Sequence, residues 1–383
     1  MFLLKNQSVK YEEYKNTLSE ILHQPNIWKE AHKNYIEQKT DIEKFLSSIR
    51  SKHAGKMRVI FTGAGTSEYV GNIIVDYLRK NDDYQFESIS TTDIVSNPYL
   101  YLKRNTPTLL VSFARSGNSP ESLAAVEICS KLIDNFYNLA ITCADNGKLA
   151  NSLYGKENSY VLIMPDGSND KGFAMTSSFT SMMLSALLIF DNRSDEEKLK
   201  IVEFLIDSVN SIIKREKELT ELIDFDFERI VYIGSGTLSK LVNECRLKIL
   251  ELTAGQVVTC HESSMGFRHG PKSFVNDKTF IVSLVSNNEY TAKYDIDILN
   301  EVYHDEIAKN ILAISTSKID SGFEQFTIDA PANLEDVYLS FPYVFIAQII
   351  SLLTCNRVGN SADSPSRSGT VNRVVKGVVI HEL

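Results

Sequence analysis

Short runs of β-branched and aromatic residues, each followed by a glycine turn, occur twice along the chain. The run Arg58-Val-Ile-Phe-Thr leads into Gly63-Ala-Gly65-Thr66 and then into apolar residues at helical spacing. The run from Arg229 to Ile233 repeats this order with Gly234-Ser-Gly236-Thr237. The pattern predicts a strand, a glycine turn and a helix in each copy. Two similar domains are therefore expected.

Two further strand-like runs recur in the same sequential positions. Thr108–Phe113 is echoed by Phe280–Val285, and Asn138–Cys143 is echoed by Asn310–Ser315. Buried strands that alternate with helices form parallel, doubly wound sheets, which bind ligands at the carboxyl ends of their strands. The predicted fold class is α/β, with two tandem doubly wound parallel-sheet domains whose glycine turns mark the binding edges.

The predicted organisation has four segments. Residues 1–56 form a helical lead-in, 57–195 the first α/β domain, 196–355 the second, and 356–383 a tail rich in Ser, Gly and Asn. The division between the domains falls in the polar stretch that begins at Asp191. A chain of 383 residues suits two domains of ordinary size, and the tail is expected to be loosely packed.

Composition narrows the function classes. The apolar stretches 175–190 and 341–355 are shorter than the roughly 20 residues of a membrane-spanning helix, so buried helices and no membrane contact are expected. The five cysteines have no paired spacing and no signal-peptide core follows Met1, which favours a cytoplasmic protein with free thiols. A net charge of -9 argues against nucleic-acid partners.

Hydroxyl side chains cluster where two strands of the first domain give way to helices. Thr66 and Ser67 follow the first glycine turn, and Arg115-Ser116-Gly-Asn-Ser119 follows the strand that begins at Thr108. Helix amino termini with hydroxyls bind phosphate well, although each hydroxyl taken alone also suits a helix cap. The third glycine of a dinucleotide turn and the Gly-Lys-Ser/Thr of a P-loop are both missing. A sugar phosphate therefore fits better than NAD or ATP.

The second domain carries the titratable side chains. Glu251, Glu262 and His269 supply the carboxylate and imidazole that proton transfer requires. A zinc site is not expected, because Met265 stands where a His-Glu-x-x-His motif needs its second histidine. No Gly-x-Ser-x-Gly elbow of a serine hydrolase is present.

The motifs resemble those of the sugar isomerase (SIS) superfamily of phosphosugar-binding domains. The resemblance rests on Gly-x-Gly-Thr-Ser and on Ser-x-x-x-Ser-Gly-Asn-Ser-Pro-Glu-Ser, and it covers almost the entire chain. The segments 17–28, 172–180 and 368–373 are similar to those of the tandem-SIS galactosamine-6-phosphate deaminase/isomerases. That group is also called the tagatose-6-phosphate ketose/aldose isomerase family.

This resemblance implies an enzyme that converts galactosamine 6-phosphate to tagatose 6-phosphate and ammonia, with no cofactor and no metal. The residues that it implies for phosphate binding are Gly65, Thr66, Ser67, Arg115, Ser116 and Ser119, with Asp170 and Thr176 over the sugar. His269 matches the ring-opening histidine, Glu251 the base at C2, and Lys376 the tail lysine. Glu262 is a rival base, because the segment before His269 is longer than in the isomerase domain of glucosamine-6-phosphate synthase.

Several alternatives remain open on the same scaffold. They are a deaminase for glucosamine 6-phosphate or fructosamine 6-phosphate, a plain aldose/ketose-phosphate isomerase, and a sensor that binds a sugar phosphate without converting it. The family resemblance also implies a homodimer or homotetramer in which neighbouring subunits share the pocket.

Overall fold

The structure is a computed structural model that describes residues 8–53, 57–81, 83–375 and 377–383. The chain forms two compact units. The first-sheet unit comprises Asn26–Asp170, Met175–Val202 and Ser368–Leu383, and the second-sheet unit comprises Met1–Pro25, Lys171–Ala174 and Glu203–Arg367. These units exchange short segments, whereas the four segments expected from the sequence are continuous. The limits of those four segments stay a prediction.

The secondary structure alternates between strands and helices. The helices are α1 (Lys15–Leu22), α2 (Gln24–Lys52), α3 (Thr66–Leu78), α4 (Thr91–Ser96), α5 (Pro98–Tyr101), α6 (Pro120–Leu132), α7 (Lys148–Leu153), α8 (Ser177–Phe190), α9 (Asp195–Lys214), α10 (Glu216–Leu222), α11 (Thr237–Leu252), α12 (Glu289–His304) and α13 (Asp336–Arg357). The strands are β1 (Arg58–Thr62), β2 (Gln85–Ser88), β3 (Thr108–Ala114), β4 (Phe136–Thr142), β5 (Ser159–Ile163), β6 (Arg229–Gly234), β7 (Val258–Ser263), β8 (Thr279–Leu284), β9 (Asn310–Ser315) and β10 (Glu324–Thr327). Short 3-10 helices span Tyr11–Glu13, Gly266–Arg268 and Pro271–Phe274.

The first sheet is parallel and doubly wound, as predicted. Its strand order is β2-β1-β3-β4-β5, and Ile60 of β1 aligns with Glu87 of β2 on one side and Leu110 of β3 on the other. The chain builds outward from β1 to β2, and then in the opposite direction from β3 to β5. This order places the topological switch point, where such sheets bind ligands, between β1 and β3.

The second sheet repeats the topology of the first. Its order is β10-β9-β8-β6-β7, with β6 paired in parallel to β7 and to β8. Counted from its own first strand, β6, this is the arrangement of the first sheet. The duplication expected from the sequence is therefore confirmed at the level of strand order, and the second switch point lies between β6 and β8.

The two glycine turns have nearly the same backbone. Gly65 caps α3 at φ 56° and Gly236 caps α11 at φ 54°, a left-handed conformation that side chains disfavour. A Cβ on Gly63 would lie 2.5 Å from the carbonyl carbon of Ser67. Glycine is therefore needed at the left-handed positions Gly65 and Gly236 and at the crowded position Gly63, where a strand turns into a helix within a few residues.

Helix α13 is the central buried helix of the second-sheet unit. It is 22 residues long, so the expectation that this apolar stretch is too short to span a membrane was wrong. Among the described residues it is the helix that is long and apolar enough, but 94% of its apolar window is buried inside the protein. The predicted burial of this stretch is confirmed, and burial inside the protein explains why the helix is so apolar.

The tail is well packed over its first part, contrary to the loose packing expected. Asp363 accepts hydrogen bonds from the backbone N–H groups of Asn16 and Thr17, at 3.0 and 2.8 Å, and from both side chains. The carboxylate thereby caps the start of α1, which no local cap serves. One acidic residue thus binds the tail to the lead-in within the second-sheet unit.

Candidate active site

The first-sheet unit gathers the predicted phosphate residues at its switch point. Thr66 and Ser67 open α3 directly after β1, and both are buried. Ser67 lies against Met175, with its hydroxyl 3.7 Å from the sulfur. The amino terminus of a helix attracts anions through the helix dipole, although the N–H groups of Ser67 and Glu68 already donate to backbone carbonyl oxygens of the preceding turn at 3.2 and 2.9 Å. Phosphate binding at this edge stays a prediction.

The second loop of this edge follows β3. Gly117 turns the chain at φ 62°. Ser119 caps α6, because its hydroxyl oxygen accepts a hydrogen bond from the N–H of Ser122. The hydroxyls of these two serines lie 2.7 Å apart. Ser116 accepts a hydrogen bond from the N–H of Asn118 at 3.3 Å. The hydroxyl hydrogen of Ser116 remains available for a ligand. The expected capping by Ser119 is therefore confirmed, and the anion site in the same loop stays a prediction.

Arg115 connects this loop to the C-terminal tail. Its guanidinium is 8% exposed and donates to the carbonyl oxygen of Arg373 at 2.6 Å. Arg373 in turn donates from Nε to the carbonyl oxygen of Asp170 at 2.9 Å and from Nη2 to Asn169 at 3.0 Å. Arg373 belongs to the segment 368–373 that resembles the family, but the sequence predicts no role for it. No local signal shows that this tail residue packs beside the first sheet.

Asp170 holds the beginning of α8. It is fully buried, and its two carboxylate oxygens accept from the backbone N–H groups of Thr176, Ser177 and Ser178 at 2.8, 3.1 and 2.9 Å. The hydroxyls of the same three residues also donate to it. These contacts support a positioning role for Asp170 and Thr176. Their predicted contact with the sugar stays a prediction.

The corresponding switch point of the second sheet holds a carboxylate of the chain itself. Asp295 of α12 is fully buried and accepts from the hydroxyl of Ser235 at 2.5 Å, from the hydroxyl of Ser264, and from the N–H of Ser286 at 2.9 Å. Burial raises the pKa of Asp295 despite these hydrogen bonds. Asp336 accepts from the hydroxyl of Ser286 at 2.6 Å. The donors of this turn are therefore satisfied internally.

The sheets thus differ in what their glycine turns can bind. In the second sheet, hydroxyls and an N–H group at the switch point bond to Asp295. In the first sheet, Ser116 and Ser119 bond to a backbone N–H group and to another serine. This difference favours the first sheet as the phosphate site.

Glu251 lies in the last turn of α11, where a buried lysine holds it. Lys248 is 1% exposed and lies 2.5 Å from Glu251 and 3.3 Å from Glu244. Burial alone would lower the pKa of Lys248, but the two carboxylates outweigh burial and the net direction is upward. Glu251 itself is partly exposed, with a side-chain accessibility of 24%. The result is an oriented carboxylate at the surface of its unit.

The rival base, Glu262, is more constrained. One of its carboxylate oxygens accepts from the backbone N–H of Ser263 at 2.7 Å and from the Ser263 hydroxyl at 3.0 Å. A Cβ on Gly266 would lie 2.7 Å from the same oxygen, so the chain packs closely over it. These contacts give Glu262 a local role in shaping the loop that leads to His269.

His269 is presented to solvent on a firmly held loop. Its ring is exposed, while the nearby Phe267 is fully buried. Arg268 and Lys272 on either side each lie 2.5 Å from Glu301 of α12, and Lys272 also lies 2.6 Å from Asp305. The described residues provide no hydrogen-bond partner for the imidazole. The role of His269 in ring opening stays a prediction.

Two further expectations concern the tail lysine and a metal site. Lys376 lies outside the described residues, and its role as the tail lysine stays a prediction. Among the residues that the structure describes, no group of three or more His, Cys, Asp or Glu side chains could hold a metal ion.

Known proteins share both the fold and the sequence. Residues 54–191 match the SIS domain family. The chain is 40% identical to D-galactosamine-6-phosphate deaminase AgaS of Shewanella sp. (strain ANA-3), over 95% of this chain and 91% of that protein. It is also 40% identical to the deaminase of the same name from Escherichia coli, over 95% of each. A crystal structure of tagatose-6-phosphate ketose/aldose isomerase from Escherichia coli superposes with a TM-score of 0.88 at 36% identity and covers 96% of each chain.

The doubly wound sheets, their glycine turns and the serine-rich loop define a protein with two tandem SIS domains. Within that class, the chain belongs to the family of D-galactosamine-6-phosphate deaminases that includes AgaS. The family predicted from the motifs is thereby confirmed.

Proposed function

We propose that this protein is a deaminating isomerase that converts galactosamine 6-phosphate and water to tagatose 6-phosphate and ammonia. The observation that carries the proposal is the 40% identity to D-galactosamine-6-phosphate deaminase AgaS over 95% of the chain. The hydroxyl groups at the switch point of the first sheet and the oriented carboxylate of Glu251 support the proposal, because the reaction needs a phosphate site and a base.

Phosphate binding is assigned to the first-sheet unit. The amino terminus of α3, with Thr66 and Ser67, and the loop containing Ser116 and Ser119 converge on one switch point. Arg115 adds a positive charge beside these donors. Charge-assisted hydrogen bonds of this kind are about twice as strong as neutral ones, so the phosphate is the group that anchors the sugar.

The chemistry begins when the ring opens, with His269 as the group that transfers the proton. Glu251 removes the proton from C2 of the open-chain aldehyde, which gives an amino-enediol. Return of that proton to C1 leaves a ketimine at C2, and water replaces its nitrogen, so that the products are a ketose phosphate and ammonia. No step requires a cofactor. Lys248 supports this assignment because it fixes the Glu251 carboxylate at 2.5 Å.

A second candidate is isomerisation without loss of ammonia. It is favoured by the likeness to a protein named tagatose-6-phosphate ketose/aldose isomerase, at 36% identity. The two functions share the proton transfer at C2 and differ only in the substituent on that carbon. The released product therefore distinguishes them.

The deciding experiment follows ammonia release and ketose formation from galactosamine 6-phosphate and glucosamine 6-phosphate. We expect ammonia from the galacto epimer. Glu251→Gln is expected to lower kcat by about 10²- to 10⁴-fold, the usual contribution of a positioned base, while phosphate-ester binding is retained. Glu262→Gln is the matched control and is expected to remain active.

The outcomes separate the alternatives. Ammonia from the gluco epimer alone would change the substrate, and ketose formation without ammonia would favour the plain isomerase. Binding of both sugars without turnover would indicate a sensor. Full turnover in both glutamate variants would contradict the proposed mechanism.

We also propose that the active species is a homodimer or homotetramer in the cytoplasm. The exposed imidazole of His269 on a loop fixed by Glu301 supports a pocket that a neighbouring subunit completes. Four of the five cysteines are buried and all five are free thiols, which suits a reducing compartment.

A further inference from the structure

A second cavity lies in the first-sheet unit, away from the phosphate loops. It has a volume of about 780 Å³ and is bordered by α2, by the residues before β2, by the end of α8 and by the start of α9. Tyr84 lines it and directly precedes β2. Because the phosphate loops follow the carboxyl ends of the strands, Tyr84 lies at the opposite, amino-terminal edge of the same sheet.

Three of the four cations in its wall already have anionic partners. Lys39 lies 2.6 Å from Asp195, Arg50 lies 2.6 Å from Asp83, and Arg193 lies 2.7 Å from Asp191. The remaining acid, Glu43, lies at the rim with 63% of its side chain exposed, 3.5 Å from Lys39. These groups balance one another without help from a ligand.

Lys198, the fourth cation, differs from the others. Its side chain is almost fully buried, with 7% exposure, and in the described part of the chain no carboxylate lies within ion-pair distance of it. Its ammonium donates to the hydroxyl of Tyr35 at 3.4 Å and lies 5.4 Å from the centre of that ring. Burial is the main cause of a lowered pKa for Lys198. Asp191 and Asp195 offset part of this lowering of the pKa, but a buried ammonium that forms no direct ion pair costs stability.

The same corner offers a second donor. Burial raises the pKa of Tyr35 to about 12, so its phenol keeps its proton at neutral pH. The phenol oxygen accepts from Lys198, and the described residues supply no acceptor for the phenol hydrogen. Two donors converge, next to an apolar wall formed by Ile42, Leu46 and Phe190. Donors that meet beside apolar surface characterise sites for small organic anions.

We propose that this cavity binds a small organic anion, whose carboxylate or phosphate group is held by Lys198 and Tyr35 and whose aliphatic or aromatic body packs on Ile42, Leu46 and Phe190. The volume lies within the range of small-molecule sites. The ligand neutralises the one cation that the cavity leaves unpaired. Because the residues that line the cavity include none of the predicted phosphate residues, this ligand is not expected to compete with the sugar phosphate, and the proposal holds whatever reaction the chain catalyses.

The test uses 4-fluorobenzoate, an anion without phosphate, observed by ¹⁹F NMR with the full-length protein. We expect binding to the wild type, and at least a tenfold weaker affinity in Lys198→Met, since a charged hydrogen bond contributes about that much. The neutral 4-fluorobenzyl alcohol is expected to bind the wild type and Lys198→Met equally. Lys200→Met is the matched control, because Lys200 lies in the same helix but is exposed and paired with Glu196.

Stability provides an independent measurement. Lys198→Met is expected to unfold at the same temperature as the wild type or at a higher one, because it removes an uncompensated buried charge. 4-Fluorobenzoate is expected to raise the unfolding temperature of the wild type and of Lys200→Met, but not of Lys198→Met. Equal benzoate affinity in all three proteins, or no binding at about 10 mM, would overturn the proposal. Displacement of the probe by galactosamine 6-phosphate in direct competition would also overturn it.

Discussion

Lys248 shows how a charged residue is buried together with its partners. It is 1% exposed and lies between Glu244 and Glu251 at 3.3 and 2.5 Å. Since its pKa is raised, the stability that it contributes is fully present below its unfolded pKa of 10.5 and is lost as the pH rises through the higher folded value. In sequence it reads as an ordinary helical lysine, so its role as the anchor of Glu251 could not be predicted.

Lys248→Met is expected to lower the free energy of unfolding by about 3–5 kcal/mol, because the fully buried carboxylate of Glu244 loses the ammonium group that lies 3.3 Å from it. Urea denaturation at pH 7 measures the change. Lys240→Met is the control, since Lys240 lies in the same helix but is exposed, and surface substitutions usually change stability by less than about 0.5 kcal/mol. A loss of equal size in both variants would contradict this assignment.

At the scale of elements, the sequence predicts the centre of each sheet and misses its edges. The runs that begin at Arg58, Thr108, Asn138, Arg229, Phe280 and Asn310 correspond to strands β1, β3, β4, β6, β8 and β9. The strands without a sequence signal, β2, β5, β7 and β10, are the four edge strands. They are partly exposed and polar, as in the pattern exposed-buried-intermediate-intermediate of β2. Only strands covered on both faces need continuous apolar runs.

Helix α8 depends on a capping group that lies several residues before it. Asp170→Asn keeps the shape of the side chain but leaves one oxygen to accept hydrogen bonds from the N–H groups of Thr176, Ser177 and Ser178. We expect a loss of about 2 kcal/mol in the free energy of unfolding, measured by chemical denaturation. Asp166→Asn, at an exposed position of the same loop, is expected to have no such effect. Equal stability of the two variants would show that the cap contributes little.

At the scale of the whole molecule, the catalytic candidates differ in how they are presented. Glu251 is fixed by a neighbour within its own helix, whereas the His269 ring extends outward from a loop bound to Glu301. The motifs predicted both residues because the family pattern contains them. The exposure of His269 was beyond the reach of the sequence, since it depends on how Arg268 and Lys272 dock against α12.

A shared pocket predicts complementation between two inactive proteins. Glu251→Gln and His269→Ala are each expected to be inactive alone. If the histidine comes from a neighbouring subunit, a 1:1 mixture allowed to exchange subunits regains about a quarter of the wild-type activity, because that share of pockets receives both native groups. Ammonia release and light scattering measure the outcome. A mixture that exchanges subunits but stays inactive would place both groups in one chain.

Asp295 distinguishes the two copies of the duplicated domain. Duplication of one ancestral domain would have placed the same glycine turn in both copies. In the second copy, the carboxylate of Asp295 in α12 lies at the switch point and accepts hydrogen bonds from Ser235, Ser264 and Ser286. The donors of that turn are satisfied without a ligand, and a phosphate would have to displace the Asp295 carboxylate to bind there.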